Sequence, residues 1–234
     1  LLATGANAAD VKLVTGNEYK PYTDESLPEG GLATELVREA YEQAGHTVVI
    51  EFMPWKRGYR SALKGRYTAT FPYVVTEERQ AEMLYSDPIY TTQALVAVAA
   101  DFDRSIDDFD DLKGLTYCIP IGHSPTERIS QMADAGEVEA QQPQNMASCL
   151  RMLQAGRADF IPLEKPTLLD AAKQTLGSTD AIRFGDLVVD ETPLHLIFGK
   201  EVKSSEEAVA TFNDALAALK ARDIYQEIVD KHIQ

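Results

Sequence analysis

GRYTATFPYVVTEERQAEMLYSDPIY, running from Gly65 to Tyr90, reads as a strand, a tight exit and a new helix with an arginine in its first turn. Tyr67 to Val75 is rich in β-branched and aromatic side chains, the composition of a buried strand. Thr76 then offers a cap for a helix whose first turn is acidic, Glu77 and Glu78, as the helix dipole favours. Arg79 stands in that same turn, against the dipole. A guanidinium there does little for the helix but is well placed to meet a carboxylate lying over the strand end. From this segment alone, a solvated surface arginine is an equal reading.

Outward from this stretch the chain alternates strand and helix. Val11 to Thr15 reads as a short strand. Leu32, Leu36, Val37, Ala40, Tyr41 and Ala44 mark one face of a helix that Gly45 ends. Thr47 to Phe52 is a strand and Gly58 to Leu63 a short helix; Ala94 to Ala100 and Leu115 to Ile121 are further strands. Ser124-Pro125-Thr126-Glu127 is expected to open a helix with Ser124 as cap and Glu127 completing a capping box. Asn145 caps the next helix, Gly156 closes it, and Asp159 to Leu163 is a strand. Ser204 with Glu207 predicts a second capping box, for a long helix through Leu219. Such alternation predicts an α/β fold with helices on both faces of mainly parallel sheets.

The 234 residues, 44% of them hydrophobic, suffice for a real core in one large domain or two small lobes. Acidic residues outnumber basic ones 37 to 22, a net charge of −15 that disfavours nucleic acid and anionic membrane surfaces as partners. Asp101 to Gly114 concentrates part of that charge and reads as a solvated connection. No apolar run approaches the roughly 20 residues that span a bilayer. Residues 1–9 contain Ala6-Asn7-Ala8, an A-x-A pattern that resembles the tail of a signal peptide and predicts export; a frayed terminus is the plain alternative. The two cysteines, Cys118 and Cys149, fall in one region of the chain and suit either a disulfide or two buried thiols.

TEERQAEMLYSDPIY resembles the T-x-x-R…FS-x-P-Y signature of the bacterial extracellular solute-binding proteins of family 3. The resemblance runs from Val11 to Ile233. It implies the two-lobed periplasmic binding protein fold of type II, two α/β lobes joined by two crossing strands near Thr91 to Gln93 and Leu187 to Thr192. Lobe 1 is then discontinuous, 10–91 with 193–234, and lobe 2 is 92–192. The ligand is expected in a cleft between lobes that close like a hinge.

The resemblance also assigns roles. Arg79 grips a ligand carboxylate, and the turn Gly122-His123-Ser124 lends backbone N–H groups from the second lobe. Ordinary helix capping explains that turn equally in any α/β protein. Glu164, at the end of its strand, accepts from a ligand ammonium; complementing a helix dipole is its plain alternative. Tyr19 and Tyr22 in NEYKPY lid the ligand, and Trp55, Phe71 and Tyr73 form walls, although core packing suits Phe71 as well. Where the family often carries hydroxyl or glycine residues this chain has Phe71-Pro72-Tyr73-Val74, and GGLATEL replaces G-F-D-x-D-L. Pro72 has no N–H and Val74 no hydroxyl, so the pocket is expected to be aromatic rather than small and polar.

The expected ligand is a small carboxylate, an amino acid or amino-acid-like compound, and the expected partner the membrane permease of an ABC importer. A periplasmic monomer without cofactor or metal is expected: His46, His123, His195 and His232 lack metal-ligand spacing, and phosphate-loop, nucleophile-elbow and dinucleotide motifs are missing from the sequence. Two other functions stay open: a cyclohexadienyl dehydratase-like enzyme using Glu164 and His123 as acid and base, and a ligand-sensing module for a signalling partner.

Overall fold

The computed structural model describes residues 10–123 and 125–233. The leader-like segment 1–9 lies outside them. Two compact units emerge, one comprising the residues up to Thr91 together with those from Pro193, the other Thr92–Thr192.

The chain enters the first unit through β1 (Asp10–Thr15), α1 (Leu32–Gln43), β2 (Thr47–Phe52), α2 (Trp55–Leu63), β3 (Ala69–Tyr73) and the short α3 (Glu77–Glu82). It leaves through β4 (Met83–Ala99). The second unit adds β5 (Thr116–Cys118), α4 (Glu127–Asp134), β6 (Glu139–Gln141), α5 (Met146–Gln154), β7 (Phe160–Glu164) and α6 (Lys165–Leu176). β8 (Ile182–Gly199) leads back to the first unit, which α7 (Ser205–Lys220) and α8 (Asp223–Ile233) complete.

In the first unit the strand order is β2-β1-β3-β8, with β1, β2 and β3 parallel and β8 antiparallel to β3. Side chains of β1 alternate faces. Leu13 joins a core with Leu36, Val37 and Ala40 of α1 and Phe212 and Leu216 of α7, whereas Val14 meets Gly58 of α2. The second unit repeats the scheme as β4-β7-β5-β6 with β4 antiparallel. Val96, Tyr117, Ile119 and Phe160 pack with Ile129 and Met132 of α4, while Ala97, Cys118 and Ile161 pack with α5 and α6. The parallel sheets flanked by helices agree with the α/β reading.

Cys118 and Cys149 are joined as a disulfide that ties β5 to α5, with Cα atoms 5.5 Å apart. Two expected caps are corrected. Ser204 has helical backbone angles (φ −89°, ψ −1°) and its side chain caps nothing, because an N-cap needs extended backbone to aim its oxygen at the helix start. α4 begins at Glu127 with Thr126 in the capping position, so Glu127 stands too early to close a capping box. Thr76 and Asn145 do cap, accepting from the N–H groups of Arg79 and Ser148.

Candidate functional site

A cavity of about 380 Å³ opens in the first unit, lined by Glu18, Tyr19, Trp55, Pro72, Tyr73, Val74, Arg79 and Leu194. Its size suits a small organic molecule. Arg79 reaches it because the Thr76 hydroxyl accepts the Arg79 N–H at 3.3 Å, which fixes the first turn of α3. The half-buried guanidinium donates to the Val74 carbonyl at 3.0 Å and lies 5.1 Å from the centre of the Tyr73 ring. That ring supports its charge through cation–π attraction. Among the described residues no carboxylate lies within ion-pair distance of Arg79. Most of the five donors of the fork therefore remain for an outside anion.

The aromatic wall is built on backbone. The Trp55 indole N–H donates to the Asn17 carbonyl at 2.8 Å, and the ring meets Tyr73 and Tyr19 edge-on, with centroids 5.6 and 6.5 Å apart. Gly16 admits the indole: a Cβ there would lie 2.2 Å from Trp55 Cε2. Glu18 adopts φ +67°, and its N–H is held by the Asp24 carboxylate at 3.0 Å. Asp24 also accepts from the Ser26 hydroxyl and N–H, and these bonds, the hydroxyl's first, hold its pKa down to about 2.

In the second unit a cavity of about 190 Å³ is lined by Thr92, Ala94, Ile119, His123, Thr126, Pro162, Leu163, Glu164, Asp190 and Thr192. Glu164 accepts from the Thr92 hydroxyl at 2.8 Å. The Thr126 hydroxyl oxygen, shielded from solvent at the start of α4, has no hydrogen-bond partner among the described residues. A shielded hydroxyl left so is costly unless something else meets it.

Arg79, Tyr19, Trp55 and Tyr73 thus come together in the first unit, and His123 and Glu164 in the second. Gly122 stands beside the second cavity at φ +87° without lining it, and Ser124 lies outside the described residues. Phe71, expected in a wall, and Tyr22, expected in a lid, are both buried in the core of the first unit, 0% and 1% exposed. Phe71 and Tyr73 part company because the β3–β8 register shifts between Thr70 and Tyr73, breaking the alternation that would put them on one face. Glu18, Thr126 and Asp190 line the cavities without having been marked as site residues by their sequence pattern. A non-glycine residue at positive φ has no sequence signal, and Thr126 was hidden by the cap assigned to Ser124.

Among solved structures the chain is similar to a substrate-binding domain of a putative amino acid ABC transporter from Streptococcus pneumoniae, at 20% identity and TM-score 0.77, covering 96% of this chain and 100% of that one. Substrate-binding domain 2 of GlnP from Lactococcus lactis matches at 19% identity and TM-score 0.78, over 96% and 95% of the two chains. The L-cystine solute receptor of Neisseria gonorrhoeae matches at 21% and 0.78, over 97% and 94%. The fold is that of the two-lobed periplasmic binding proteins. Residues 11–234 match the model of the bacterial extracellular solute-binding proteins, family 3, and the chain belongs to that family. No curated protein sequence matches it.

Proposed function

We propose that this protein is an exported receptor that captures a small carboxylate, an amino acid or amino-acid-like compound, and presents it to the membrane permease of an ABC importer. The observation that carries the reading is Arg79, a guanidinium with no carboxylate partner among the described residues, set in an aromatic cavity of a solute-binding fold. The ligand carboxylate takes the bidentate fork, and Trp55, Tyr19 and Tyr73 cover its carbon skeleton. Glu164 is assigned to the ligand ammonium, and Thr126 with the start of α4 to further donation toward the carboxylate. Because the second unit contributes too, ligand stabilises whichever arrangement of the lobes engages both, and the permease reads that arrangement. Binding alone is the activity; no bond is made or broken.

A thermal-shift screen against amino acids, amine-free carboxylates and prephenate tests this. A ligand at a hundred times its dissociation constant adds about 2.7 kcal/mol, or roughly 5–10 °C for a chain of this size. A shift with an amino acid supports the reading. A shift confined to amine-free acids removes the role given to Glu164, and consumption of prephenate makes the protein an enzyme.

A further inference from the structure

A second cavity in the first unit, about 420 Å³, is lined by Pro54, Lys56, Arg57, Arg60, Ser61, Lys64 and Arg66. In a chain of net charge −15, this concavity gathers five cations and no carboxylate. Among the described residues none of the five forms an ion pair.

The gathering has two structural causes. Lys56 and Arg60 stand one turn apart on one face of α2, with Arg57 beside them and Lys64 following as the C-cap residue four further on, while Tyr59 and Ala62 turn to the core. Arg66 lies beyond the helix and is brought back by its ending. Gly65 takes the left-handed conformation (φ +69°), its N–H bonds the Ala62 carbonyl at 2.9 Å, and the Arg66 N–H bonds Ser61 at 3.0 Å. This pair of bonds is the Schellman turn, and it returns Arg66 to the face of Ser61.

The arrangement opposes stability. Lys56 and Arg57 occupy the first turn of α2, where the helix dipole repels cations, and the like charges along the face repel each other. An anion relieves both. Three guanidinium forks and two ammonium groups around one small concavity match an anion that packs several charges onto few atoms. Phosphate does this, with up to two charges per phosphorus, whereas carboxylates bring one each and must be spaced along a chain. We infer that this groove binds a phosphate-bearing anion, at a site separate from the aromatic cavity. The average charge of the chain conceals it, since screening confines a local patch to about 8–10 Å of its surface.

The test is calorimetric titration of the full chain with tripolyphosphate, beside the triple variant Arg57→Ala/Arg60→Ala/Lys64→Ala. All three side chains are exposed, so the variant should fold, and far-UV circular dichroism checks this. Expected are saturable binding that weakens with salt, at least a tenfold loss in the triple variant, and an intermediate loss in Arg57→Lys/Arg60→Lys, which keeps charge but not the fork. Co-sedimentation with phosphatidylglycerol vesicles but not phosphatidylcholine vesicles assigns the phosphate to a lipid headgroup. Tripolyphosphate binding without sedimentation assigns it to a soluble anion. Both uphold the site. Absence of binding, equal binding by the triple variant, or polyglutamate binding as tightly as tripolyphosphate overturns it.

Discussion

Gly16→Ala should disable the aromatic cavity without replacing any residue assigned to the ligand. The new Cβ would stand 2.2 Å from Trp55 Cε2, 2.4 Å from Cδ2 and 2.7 Å from Nε1. Carbon atoms rest about 3.5–4.0 Å apart, so the indole must retreat by roughly 1.5 Å. Gly16 belongs to the backbone that the Thr23 hydroxyl grips at 3.0 Å, so the ring has to move rather than the chain. Retreat breaks the Trp55 bond to Asn17, worth about 1 kcal/mol, and overpacking adds about 1–3 kcal/mol. The sum, about 2–4 kcal/mol, predicts a melting temperature lower by roughly 4–16 °C. Trp55 is the one tryptophan of the sequence, which makes fluorescence the natural assay. Its emission should shift to the red as the half-buried ring moves toward water, and ligand affinity should fall at least tenfold, about 1.4 kcal/mol. Unchanged emission, melting temperature and affinity would refute the claim that Gly16 shapes this wall.

Other consequences follow from the same geometry. Thr126→Val should leave stability unchanged or improved, since it removes a shielded hydroxyl without a partner among the described residues, while weakening ligand binding; equilibrium dialysis measures this. Replacing Cys118 and Cys149 by alanine should destabilise the second unit by about 4 kcal/mol, the loop-closure value for a separation of 31 residues, as read in a urea titration. The third concerns pH. Burial pushes the Glu35 carboxyl up, but hydrogen bonds and charge from Lys231 (2.8 Å) and His232 (2.6 Å) outweigh it, and its pKa lies below the usual 4.5. A depressed carboxylate stabilises the fold above its unfolded pKa, and the gain fades as pH falls through the folded one. Glu35→Gln should therefore cost about 1–3 kcal/mol at pH 7 and progressively less in acid, seen as converging melting curves below pH 4.5.

The legible parts of this chain were those governed by local rules. The apolar periodicity of α1 and the alternating elements around it depend on neighbours a few residues apart. Thr76 and Asn145 announce their helices because their extended backbone lets the side chain reach the third residue on. Ser204 carries the same kind of letter, but a cap is a matter of backbone angles, which the letters do not contain. α6 is signalled in the sequence only through the alternative reading of Glu164 as a charge complementing a helix dipole, although proline at 166 suits a first turn. Phe71 and Tyr73 show the same limit in the site: alternation puts them together, and a register shift separates them. Arg79 was legible because its position against the dipole is a local anomaly. The basic cavity was not, since Arg66 joins it only through the turn at Gly65.

The proposed function turns on Arg79 holding a ligand carboxylate. Titration calorimetry of the wild type, Arg79→Ala and Arg79→Lys with the ligand found by thermal shift tests it directly. Wild-type binding, a loss of at least a hundredfold in Arg79→Ala at an unchanged fold, and partial recovery in Arg79→Lys are predicted, because lysine restores the charge but not the two-pronged grip. Affinity retained by Arg79→Ala would contradict the account.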